Sequence, residues 1–109
     1  MAPRALETLD QFLARLRKAH ARGVCPEVRF GGHHFTHAVV VEDGVFRVRP
    51  LVLDRAKAAA YMAEHRSFMP EHAEMLSEPG PAVLLEASSL DGICEALRAQ
   101  SRRLGFPLV

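Results

Sequence analysis

The chain has 109 residues, 49% hydrophobic and 25% charged, with 14 basic side chains against 13 acidic ones, six histidines and two cysteines. That length predicts one domain over 1–109 whose core is large enough to dispense with a disulfide or zinc staple. A net charge of +1 supplies no long-range pull toward nucleic acid or anionic lipid, and it excludes an acidic disordered tail.

Leu6, Leu9, Leu13, Leu16 and His20 recur at spacings of three and four, opposite Glu7, Asp10, Gln11, Arg17 and Lys18, which is the pattern of an amphipathic helix. Gly23 supplies its C-terminal stop. Residues 27–30 read as a short edge strand, and Gly31-Gly32 permits a reversal into a longer extended run. Asp43-Gly44 between 35–42 and 45–52 is the signature of a type I′ hairpin. A two-residue loop fixes the register, so Glu42 faces Val45, Val39 faces Val48 and His37 faces Pro50. One face then carries Phe35, His37, Val39, Val41, Phe46, Val48, Pro50 and Val52 and is the expected core face. The other alternates Ala38 and Val40 with Arg47 and Arg49, and can be solvated, partly covered or an interface.

Asp54 is a good N-cap for an alanine-rich helix, and Pro70 makes the stretch to Leu76 either two helices or one kinked helix. Pro79-Gly80-Pro81 is a break, after which 82–87 reads as a short strand with Val-Leu-Leu buried at its centre. Ser88 is the expected cap of a last helix whose inner stripe is Leu90, Ile93, Cys94, Leu97, Ser101 and Leu104, closed by Gly105 and Pro107. The order predicts an α+β fold: an N-terminal helix, then a hairpin-centred sheet of about four strands with helices mainly on one face. A right-handed crossover through the alanine-rich segment would make that sheet mixed.

No apolar run approaches the roughly 18 residues of a membrane span, and Glu7 arrives too early for the apolar centre of a secretory signal. Cys25 and Cys94 have neither metal nor disulfide-framework spacing. These features predict a cytoplasmic protein with no membrane partner. All but two of the basic side chains are arginine, beside abundant alanine, glycine and proline, a codon signature that points to a bacterial or phage source.

Three features could carry chemistry. His33, His34 and His37 cluster, but in a strand His33 and His37 stand about 13 Å apart, too far to share an ion without a bend at Gly31-Gly32. Turn residues and one hydrogen-bonded core-margin histidine explain them more cheaply. His65 and His72 lie two helical turns apart, about 10 Å, with Pro70 between, and neither belongs to a metal-binding helical pair. His20 fits the end of the first helix, where a protonated imidazole favours the dipole. Arg47 and Arg49, with Arg29 beside them, offer a short basic stripe for nucleic acid. That face has no aromatic side chain for base stacking, because Phe35 and Phe46 point inward. Cys25 follows a helix end, where nothing in the local sequence activates a thiol, and Cys94 packs as a small hydrophobe. No nucleophile elbow or phosphate loop is present, so no cofactor is expected and catalysis is not favoured.

The remaining feature is the methionine- and aromatic-rich segment around Pro70, with Tyr61, Met62, Phe68, Met69 and Met75 as interface residues. The expectation is a small interaction module that binds a protein partner, or a second copy of itself, stoichiometrically, as accessory, inhibitor, immunity or antidote proteins do. A histidine-dependent metal protein or small metalloenzyme and a nucleic-acid-binding module are the rivals.

Overall fold

The computed structural model describes residues 7–31, 35–65 and 76–106. Along them run α1 (Leu9–Ala19), β1 (Glu27–Gly31), β2 (Phe35–Glu42), β3 (Val45–Leu53), α2 (Arg55–His65), β4 (Ser77–Pro79), β5 (Leu85–Ala87) and α3 (Leu90–Ala99). This is the α+β architecture expected, with five strands in place of about four.

The hairpin follows its turn chemistry. Asp43 and Gly44 both adopt positive φ, 53° and 78°, as a type I′ turn requires, and β2 and β3 pair Glu42 with Val45, Val39 with Val48 and His37 with Pro50. β1 adds antiparallel to β2, setting Val28 against Val39 and Phe30 against His37. On the other side of β3 lie β4, opposite Leu51 to Leu53, and β5, opposite Phe46 to Val48.

Every pairing among the described residues is antiparallel, so the sheet is not mixed. The reason lies at the mouth of the excursion after β3. The Asp54 N–H donates to the Leu76 carbonyl at 3.0 Å, so the chain leaves and rejoins the sheet at the same end of β3 and must run back antiparallel. A parallel return would have to begin at the opposite end.

β4 and β5 are two halves of one interrupted strand. A continued register would set Ala82 opposite Val48, but Leu85 stands there, so three residues are extruded. The cause is proline: Pro50, Pro79 and Pro81 have no N–H to give, and the gap is bridged by the Gly80 N–H to the Pro50 carbonyl and the Leu84 N–H to the Val48 carbonyl, each at 2.8 Å. A Cβ at Gly80 would overlap the Val52 methyl group, so any other residue there requires the Val52 side chain to shift. The expected buried strand over 82–87 is therefore corrected. Only Leu85–Ala87 pair, and Val83 and Leu84 are 43% and 46% exposed.

α1 and α3 cover one face of the sheet. α1 opens on a capping box: the Thr8 hydroxyl accepts from the Gln11 N–H, and the Gln11 side chain accepts from the Thr8 N–H. α3 is capped by Ser89, one residue later than expected, its Oγ accepting from the Gly92 N–H at 3.0 Å. That phase turns Ile93, Cys94 and Leu97 inward to meet Phe12, Leu13 and Leu16 of α1 and Val28, Phe30, Val39 and Val48 of the sheet. Phe12, Phe30 and Phe106 form an aromatic cluster with centroids 4.7–5.8 Å apart. Two ion pairs, Arg17–Asp91 and Arg98–Asp10, hold the helices antiparallel.

Candidate functional site

α2 is built differently. Asp54 caps it, its Oδ1 accepting from the Lys57 N–H at 3.0 Å, and that bond holds the Asp54 carboxyl below the ordinary carboxylate range. Lys57 reaches Glu78 of β4 at 3.1 Å and so ties the first turn to the sheet. Yet none of its 11 residues is buried. Ala58, Ala59 and Met62, one side of the helix, join Leu53 around an open, wholly apolar depression of about 300 Å³. Tyr61 stacks on His65, centroids 4.2 Å apart. Of the five interface residues expected here, the structure places Tyr61 and Met62 on this exposed helix. Phe68, Met69 and Met75 lie outside the described residues.

The arginine face is a self-neutralised layer. Arg47 bonds Glu86 at 2.8 Å and Glu42 at 3.3 Å. Arg49 bonds Glu42 at 2.8 Å and the Gly80 and Pro81 carbonyls, and Arg29 bonds Glu27 and the Ser77 carbonyl. Hydrogen bonds from Arg49, then Arg47, hold Glu42 below the usual carboxylate range, and Glu86, then Glu42, raises Arg47 further. The arginine stems cover Ala38 and Val40, which are 0% and 6% exposed. Of the three outcomes open for this face, the covered one is realised, and its guanidinium forks are occupied.

His33 and His34 lie outside the described residues. His37 stacks on Phe30 with centroids 5.2 Å apart and is hydrogen-bonded to Thr36 Oγ1 at 2.7 Å, and burial lowers its pKa. His20 is the C-cap of α1. Its Nδ1 accepts from the Cys25 N–H, its ring meets Phe46, and its buried Nε2 has no partner. Burial pushes its pKa down, and its place as the C-cap agrees with the end-capping role expected for it. Among the described residues no three histidine, cysteine or acidic side chains converge as a metal site would require. Cys25 donates its thiol to the Glu27 carbonyl, and Cys94 is buried with its pKa raised mainly by desolvation. Among the described residues no helix is long and apolar enough to cross a membrane.

One feature had no reading in the sequence. Where β5 meets the end of α3, Leu84, Leu85, Gln100, Arg103 and Leu104 line a depression of about 260 Å³, beside the extruded Val83. Its signal was present but divided: the prolines that force the extrusion are Pro50 and Pro79-Gly80-Pro81, far apart in the chain. No protein-family model matches this chain, and neither a curated protein nor a solved structure matches it.

Proposed function

We propose that this chain acts by stoichiometric protein binding, with α2 as its contact surface and a second copy of itself as the first partner. The observation that carries this reading is that α2 buries none of its residues while presenting Ala58, Ala59 and Met62 beside Leu53 in an open apolar depression. A helix of 11 residues is marginal in water by propensity alone and gains its stability from covering an apolar face. A surface whose coverage is left to another chain fits an accessory, inhibitory or antidote role in the cytoplasm, without cofactor or catalysis.

The test is sedimentation velocity over a hundredfold concentration range. A dimer that dissociates in Met62→Glu, with the circular-dichroism spectrum of the folded chain retained, supports the reading. A strictly monomeric chain whose biological effect also survives charged substitutions at Phe68 and Met69 overturns it. The metal and nucleic-acid readings draw no support from the described geometry, in which His37 is engaged by Phe30 and Thr36 and the sheet arginines by carboxylates.

A further inference from the structure

The two edges of the sheet are finished differently. At β1 the Arg15 guanidinium donates to the Arg29 carbonyl at 2.7 Å and the Cys25 thiol to the Glu27 carbonyl, so side chains occupy carbonyls that an incoming strand would need. At β5 the outer edge has no strand partner among the described residues. Val48 and Pro50 accept from Leu84 and Gly80, so these residues of β3 turn their backbones toward the interrupted strand. Leu85 and Ala87 pair inward with Val48 and Phe46, and Glu86 between them turns its N–H and C=O outward. No described strand pairs on that side.

Beside this edge lie exposed Val83 and Leu84 and the depression floored by Leu84, Leu85 and Leu104. At about 260 Å³ it is below the usual size of a small-molecule pocket, about 300 Å³ upward, and suits a single apolar side chain. Its rim is basic. Arg103 reaches only the Gln100 side chain, at 3.5 Å, and neither it nor the adjacent Arg102 has a carboxylate partner among the described residues. Of the other described arginines, Arg15, Arg17, Arg29, Arg47, Arg49 and Arg98 each hold one, and Arg22 and Arg55 do not.

We propose that the β5 edge is a strand-addition site for an extended acidic segment of a partner protein, which bonds the Glu86 backbone, seats one large apolar side chain over Leu84, Leu85 and Leu104, and sets a carboxylate against Arg103. Main-chain pairing gives such a site its affinity, and the alternating side chains give it selectivity. The surface is separate from α2, so the two proposals fail independently.

The probes are two fluorescent octapeptide libraries with a central Leu, Ile or Phe, one with flanking Asp and Glu and one with those positions changed to Lys, measured by anisotropy against the full chain. The acidic library should bind at least tenfold more tightly than the basic one. Arg103→Glu should weaken acidic binding tenfold or more, and Leu84→Asp and Glu86→Pro should abolish it, whereas Met62→Glu should leave it unchanged. Leu84 and Arg103 are surface positions, so their variants keep the test decisive even if Glu86→Pro misfolds. Failure of the acidic library to bind, equal binding of the basic one, or indifference to Arg103→Glu and Leu84→Asp overturns the proposal. So does a self-associated edge, seen as a dimer that Leu84→Asp dissociates.

Discussion

α1 and α2 are both 11 residues long and both are capped at their N-termini, but only α1 is paid for by the core. Phe12 and Leu16 are wholly buried beneath the sheet's inner face, whereas α2 hangs from Asp54 and the Lys57–Glu78 pair. The contrast teaches that a cap and a run of alanines suffice to place a helix, while its amphipathic pattern decides whether the protein's own body covers it.

The largest effect that could break this comparison is in the core. Leu16→Ala should lower unfolding stability by about 2–5 kcal/mol in urea titration, and a loss below about 1 would mean that α1 is no better anchored than α2. Removing the capping box is next. Thr8→Ala should cost about 1 kcal/mol by the same titration, because it strands the Gln11 N–H.

A third expectation concerns acid. Burial depresses the pKa of both His20 and His37 below the ordinary 6.5, so between that value and their lower native values the unfolded chain binds more protons than the folded one. Their contribution is complete above about pH 6.5 and declines as the pH falls through that window. The thermal midpoint should drop between pH 7.5 and 5, and His37→Gln should flatten the slope. A midpoint that rises on acidification would contradict the burial of both rings. The smallest effect belongs to α2: Met62→Ala should change stability by no more than about 0.5 kcal/mol, and a larger loss in a monomer would show that the chain itself covers this helix.

What could be read from the sequence is what is local. Asp43-Gly44 determines its own turn, and with it the whole β2–β3 register, since period-two alternation leaves no freedom once the loop length is set. The inner stripes of α1 and α3 are equally local. The direction of β4 was not legible, because it depends on Asp54 meeting Leu76 across the excursion. The exposure of Val83 and Leu84 was not legible either, since Val-Leu-Leu has the composition of a buried strand, and the misfit comes from Pro50 on a different strand. The arginine stripe shows the same limit: its charge is visible in the sequence, but its neutralisation by Glu42 and Glu86 is a property of cross-strand neighbours. The segment of α2 was legible as apolar and alanine-rich, though of the five interface residues expected from it only Tyr61 and Met62 lie among the described residues.

The bond between Asp54 and Leu76 has an architectural corollary. Because the excursion starts and finishes at adjoining points, residues 54–76 form in topological terms an oversized hairpin loop. Replacing them with a four-residue turn changes the closure entropy by only roughly 1–2 kcal/mol. The remaining helices and sheet form a chassis into which other excursions could be grafted without redesigning the part that folds.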